Sequence, residues 1–245
     1  MGSMGRLMNR KLWLLLAFVF LGITLVVFEI SDLDFRLQDR LYSFEDKTWI
    51  VPKKAQVPRI LFYHGPKILL IAFGVWILAS LIVPETWRAR RFLSRKSPRQ
   101  LIYLAICLGL FPAFIGALKK ASGIHCPSEL LRYSGEHQYR HLFSPRPEDS
   151  KELGRCFPAG HASGGFSLFS LWFIARTNRA RKVGLTLGLT AGWLMGLYQM
   201  LSGAHFLSHT LVTMLLAWIF TLTMAMLFRL EGQDPILADA KSAHC

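Results

Sequence analysis

Five stretches of this chain carry no Asp, Glu, Lys or Arg: Leu12 to Phe28, Ile68 to Pro84, Gln100 to Leu118, Phe157 to Ala175 and Val183 to Phe228. Each of the first four is close to the roughly 20 residues that a helix needs to cross the hydrocarbon of a bilayer. The fifth is long enough for two such helices joined by a tight turn near Ser202 and Gly203. A soluble bundle could bury one run of this kind. Five in a chain of 245 residues would leave too little polar surface to cover them. The expectation is an all-α integral membrane protein with six transmembrane helices, at about 12–29, 68–84, 100–118, 160–176, 183–202 and 206–228. No repeat or low-complexity tract divides it, so 1–245 is read as a single domain.

The basic residues that give the chain its net charge of +14 fall in clusters between these runs. Arg6, Arg10 and Lys11 precede the first, Arg88, Arg90, Arg91, Arg95, Lys96 and Arg99 lie between the second and third, and Arg176, Arg179, Arg181 and Lys182 between the fourth and fifth. By the positive-inside rule these segments, and with six spans both termini, are cytoplasmic. Topology and anionic lipid account for the charge, so no nucleic-acid partner is expected. The first run has no small-residue cleavage site after it, since Phe28-Glu-Ile-Ser-Asp follows, and is kept as a membrane helix.

The other face receives the polar insertions. Ile30 to Lys67 reads as a surface cap with a short amphipathic helix around Phe35 to Leu41, and Ala121 to Phe157 as a second, larger one. Arg155-Cys-Phe-Pro-Ala-Gly-His161 opens the fourth run: Pro158 fixes the approach, Gly160 lets the backbone come close to a ligand, and His161 can exchange a proton near neutral pH. Amide groups at such a helix start suit a phosphate. Lys119 and Lys120, at the outer end of the third run, supply point charges for a phosphate or simply complement the helix dipole. His205 and His209, four apart, would share one side of a helix. With His161 they could also form a metal trio. The phosphate reading is preferred because no carboxylate or cysteine lies in the short segment that carries His205 and His209.

Taken together, Lys119-x6-Cys126-Pro127, Pro158-Ala-Gly-His161 and Gly203-Ala-His205-Phe-Leu-Ser-His209 resemble the three-part signature of the type-2 phosphatidic acid phosphatase superfamily. That signature is Lys-x6-Arg-Pro, Pro-Ser-Gly-His and Ser-Arg-x5-His-x3-Asp. The resemblance covers roughly Ile68 to Leu227 and implies six spans with an extracytoplasmic catalytic cap. It implies that His205 attacks phosphorus to form a phosphohistidine, that His161 protonates the leaving oxygen and then activates water, and that no metal or other cofactor is needed. Lys119, Lys120 and the Ala159–Gly160 backbone would hold the phosphate. The implied substrate is a lipid phosphate or pyrophosphate at the outer face of a bacterial inner membrane; undecaprenyl pyrophosphate, lipid A and glycerophospholipids all fit. A lipid phosphotransferase, or a non-hydrolytic lipid-phosphate binder or transporter, uses the same residues.

This chain departs from the pattern at five positions. Cys126 stands for the first arginine, Tyr198-Gln199 for Ser-Arg, His209 for the aspartate and Ala159 for serine. Arg155, with Arg132 and Arg140 in reserve, is the expected substitute cation, and His209 the expected hydrogen-bond partner that orients His205. Cys126 and Cys156 both fall in the outer block beside motif elements, so a disulfide between them is expected, with two free thiols as the alternative.

Overall fold

The computed structural model describes residues 3–52, 55–82, 96–145 and 153–230. Arg88, Arg90, Arg91 and Arg95 of the basic loop, Arg146 of the cap and the tail 231–245 with Cys245 lie outside the described residues. The described chain is mostly helical: α1 (Ser3–Ile30), α2 (Leu33–Gln38), a two-stranded hairpin of β1 (Tyr42–Ser43) and β2 (Thr48–Trp49), α3 (Gln56–Arg59), α4 (Gly65–Ile82) and α5 (Pro98–Ser122). After the second cap follow α6 (Gly160–Phe166), α7 (Ser170–Ile174), α8 (Asn178–Leu201) and α9 (Leu207–Leu227).

Four helical stretches are long and apolar enough to cross a membrane: Asn9–Ile30, Gln56–Ile82, Pro98–Glu129 and Leu207–Leu227. The second begins well before the expected Ile68, because α3 and α4 are joined by a π-helical turn, Ile60–His64, into one continuous helix. Such turns carry an extra residue per turn and re-aim side chains, often toward a site. The third is delimited by local chemistry: Ser97 and Gln100 form a capping box around Pro98, and Gly123 ends α5 in the left-handed conformation, φ 66°.

The two remaining expected spans differ from the simple reading. The 160–176 run is a broken helix, α6 and α7 with a 3-10 turn, Ser167–Phe169, between them. Ser163 and Ser167 donate through Oγ to the carbonyls three residues back, at 2.6 and 2.5 Å, which competes with the regular ladder and tightens it. α8 is a single helix, but Arg179, Arg181 and Lys182 lie within its first turns and a glycine stripe, Gly184, Gly188, Gly192 and Gly196, runs along it. A Cβ on these glycines would collide in turn with Leu171, Phe169, Phe166 and Thr210, so the stripe sets how closely α6, α7 and α9 approach.

One end of the bundle collects the basic residues. Arg10 donates to the Leu230 carbonyl at 3.3 Å and Lys96 to that of Ile174 at 2.6 Å. The opposite end holds both caps. There Tyr42, Leu130, Tyr133 and Phe206 form a buried cluster with Phe35, Trp49 and Tyr139 packed against it. Asp34 on α2 reaches the start of α9, where its carboxylate accepts from the Ser208 amide at 3.0 Å and from the Ser208 hydroxyl.

Burial raises the Asp34 carboxyl from 3.8 to about 6, against the Ser208 hydrogen bonds that lower it. The folded carboxyl therefore keeps a proton that the unfolded one loses, so stability falls as pH rises from about 4 to about 6. Asp34→Asn keeps a comparable shape without the buried charge. Its melting temperature in detergent is expected to exceed wild type above pH 6 and to converge with it below about pH 4. Parallel pH curves for the two proteins would contradict this.

Candidate active site

Lys119 sits in the last turn of α5, and the chain beyond it is pinned to the segment that leads into α6. Gly154 and Cys156 donate main-chain hydrogen bonds to Gly123 and Ile124, at 3.2 and 2.8 Å, and Ser122 Oγ donates to the Phe157 carbonyl at 2.7 Å. A Cys126–Cys156 disulfide ties the same two segments covalently, with the Cα atoms 5.1 Å apart. The Ala159 amide donates to the His209 carbonyl at 3.2 Å, which brings the start of α6 against α9. The α8–α9 turn is held by Gly203, whose φ of 69° and contact with the Trp49 ring leave no room for a side chain, and by a Ser128-to-Gly203 bond of 2.9 Å.

These constraints converge on His205, which lies in that turn and is 1% exposed. Its Nδ1 faces Cys156, 3.3 Å from Sγ, and the Cys156 main chain hydrogen-bonds to the rings of both His205 and His209. With Nδ1 turned to Cys156, the other ring nitrogen, Nε2, faces His161, whose Nδ1 is 3.4 Å away. Burial, reinforced by the positive charge of Lys119 and the neighbouring rings, pushes the His205 ring well below its ordinary pKa, so it is neutral at pH 7.

In front of His161 lies a cavity of about 500 Å³. Lys119, Gly160, Tyr63 and Lys67 line its head. A Cβ on Gly160 would stand 3.1 Å from Lys119 Cδ and 3.4 Å from Nζ, so glycine is what lets the ammonium lie over the start of α6. The Tyr63 ring is 4.8 Å from the His161 ring, and Lys67 Nζ lies 5.9 Å from the Tyr63 ring centre. Below the head, Leu70, Ile71, Gly74, Val75 and Leu78 of α4 face Ala105, Leu108, Gly109 and Pro112 of α5. Cations at one end and hydrocarbon along the rest suit an amphiphile with an anionic head.

Several expected residues are elsewhere. Arg132 forks onto Asp39, at 2.9 and 2.6 Å, and holds that carboxyl below its usual range. Arg140 donates to the Ser122 and Ser144 carbonyls, at 2.6 and 3.1 Å. Both are fastening the cap. Arg155 and Lys120 are exposed, and neither lines the cavity. For His209 only the helix differs from the expectation: α9 begins at Leu207, so His205 precedes it and the helical i, i+4 geometry does not apply, yet the two rings remain neighbours. The two ring centres are 5.7 Å apart with no hydrogen bond between them, and His209 packs edge-on against Phe157 and Phe206.

Lys67 and Tyr63 escaped the sequence reading because the second span was started at Ile68. An ionisable residue so close to an apolar run was the available signal. The family model described as PAP2 superfamily matches residues 100–232, more than half of the chain. No curated protein and no solved structure matches it.

Proposed function

We propose, for a chain that belongs to the PAP2 superfamily, that its phosphatase-type activity on phosphate esters is directed at a lipid phosphate or pyrophosphate and runs through a phosphohistidine at His205. The observation that carries the lipid reading is the continuity of the cavity: Lys119 and His161 at its head, an apolar wall of α4 and α5 behind. From Tyr63 to Leu78 that wall runs roughly 22 Å at 1.5 Å per residue, more than half of a hydrocarbon core of about 30 Å. A hydrocarbon chain lying there would hold its phosphate against Lys119.

The chemistry follows from the ring nitrogens. Neutral His205 attacks phosphorus through Nε2 while Nδ1–H stays on the Cys156 carbonyl, which takes the orienting task that the family pattern gives to aspartate. His161 protonates the departing oxygen and then draws a proton from the water that hydrolyses the phosphohistidine. At 3.4 Å the two rings leave no space for phosphorus between them, so substrate entry requires the His161 ring to swing toward the cavity. Lys119 and Lys67 neutralise the equatorial oxygens in place of the missing family arginines.

In this reading all six expected segments cross the membrane, with the broken α6–α7 helix and the glycine-rich α8 packed on each other inside the bundle. The basic end is cytoplasmic and the histidines face the periplasm of a bacterial inner membrane.

The test is phosphate release by the purified protein from a panel of lipid phosphates, with and without an acceptor lipid. Release without acceptor is expected; transfer only to the acceptor marks a phosphotransferase, and neither marks a binder. A Cβ on Gly74 or Gly109 would meet nothing within 4 Å, so leucine at either position fills the groove without straining its helix. Gly74→Leu and Gly109→Leu are expected to slow a long-chain ester far more than a short water-soluble one. Equal slowing of both would place the chain elsewhere.

A further inference from the structure

No cysteine lies near His205 and His209 in the chain. The fold supplies one. Cys156, His205 and His209 each offer a donor atom, all within 4.8 Å of one another, and all three residues are buried. Among the described residues no hydrogen-bond partner meets His209 Nδ1, although the residue is only 3% exposed and its ring interacts with the Cys156 main chain. A buried nitrogen left in this way costs stability, and a cation is one group that would satisfy it. The catalytic account does not use it.

We propose that reduction of the Cys126–Cys156 disulfide turns the floor of the nucleophile pocket into a thiolate–imidazole site for a zinc-class divalent cation, and that the bound cation silences His205. A reductant, such as a dithiol or a phosphine, attacks the sulfur of Cys126, which is half-buried. The S–S bond breaks, two electrons pass from the reductant, and Cys156 leaves as a thiolate inside the pocket. There it lies 3.3 Å from His205 Nδ1. Thiolate and imidazole are the donor set of zinc, whose ligands at roughly 2.0–2.3 Å stand roughly 3.3–3.8 Å apart in a tetrahedron, so the pocket closes by about 1 Å at its widest pair. Cys126 stays bonded to the reductant in that step and is released in a second one, when the other thiol of the dithiol closes a disulfide or water takes the phosphine as its oxide; it is then a fourth donor.

The cost to the nucleophile follows from one proton. A neutral imidazole has one N–H and one lone pair. When the cation takes the lone pair at Nδ1, the proton resides on Nε2, and the nitrogen that faces His161 can no longer attack phosphorus. The disulfide holds the same sulfur in a bond and keeps the cation out. Oxidation thus licenses the site and reduction with zinc closes it.

The experiment uses the full chain in detergent with cobalt(II) as the spectroscopic probe and a phosphine as reductant. The oxidised protein is expected to show no thiolate-to-cobalt charge-transfer band. The reduced protein is expected to bind one cobalt per chain with that band, and Cys126→Ser to show it without reductant. Cys156→Ser should lack the band, and His209→Ala should lose most of it. Size-exclusion elution identical to wild type establishes that each variant is folded. Absence of the band in both the reduced protein and Cys126→Ser overturns the proposal, as does an equal band in Cys156→Ser. The silencing arm rests on the phosphatase reading: zinc should stop phosphate release by the reduced protein alone and a chelator restore it. A cobalt band in a protein that hydrolyses nothing in any state upholds the site and sinks the phosphatase reading. Unchanged turnover by the reduced, zinc-loaded protein overturns the silencing.

Discussion

Replacing His205 by alanine is expected to lower phosphate release by on the order of 10⁴-fold or more, the scale seen when a covalent catalyst loses its nucleophile. The ring is fully buried, so the loss is chemical only if the protein still folds; unchanged elution and melting behaviour provide that control. His161→Ala should cost about 10²- to 10⁴-fold, the usual worth of a positioned acid–base group. The loss should shrink for esters whose leaving group needs no proton. His209→Ala is expected to have a much smaller effect than either, because no hydrogen bond joins His209 to His205. A His209→Ala protein as inactive as His205→Ala would restore to His209 the orienting role that the Cys156 carbonyl takes here.

Lys119→Met should be the next most damaging change, lowering kcat by about 10²- to 10³-fold, as expected for one preorganised group aimed at charge that develops in the transition state. Its ammonium lies over Gly160, at the cavity head that His161 also lines, and is half-buried, where a charge acts through less water than at the surface. Lys67 is exposed at the same cavity head, so Lys67→Met should raise KM more than it lowers kcat. Arg155→Ala, Arg132→Ala and Arg140→Ala should leave kcat near wild type. A kcat loss at Arg155 comparable with that at Lys119 would return the missing arginine's task to the cap.

Where charge-free runs alone set the structure, the sequence was easy to read. Four of the expected spans are helices long and apolar enough to cross a membrane, and the family membership was legible from three spaced motifs. The broken α6–α7 helix was not, because serine back-bonding is decided by rotamers rather than by hydropathy. The arginine substitutes were chosen by nearness in the chain, whereas Arg132 and Arg140 had acceptors of their own in the cap: the Asp39 carboxylate for one, the Ser122 and Ser144 carbonyls for the other. Helical periodicity does not reach His205, one residue before the Phe206 N-cap of α9, yet the turn still leaves His209 beside it, with the ring centres 5.7 Å apart. The π-helical turn that aims Tyr63 toward His161 has no simple sequence signature, so that neighbour was visible only once the chain was folded.

The central claim is that His205 carries the phosphoryl group between substrate and water. It is tested most directly by trapping that adduct in His161→Ala, which lacks the group that activates water, using an aryl phosphate whose leaving group departs unprotonated. After an alkaline quench, the account predicts an acid-labile, base-stable phosphate on the peptide containing His205. An unlabelled protein that still turns over the ester, or label that persists when His205 is also replaced by alanine, would contradict it.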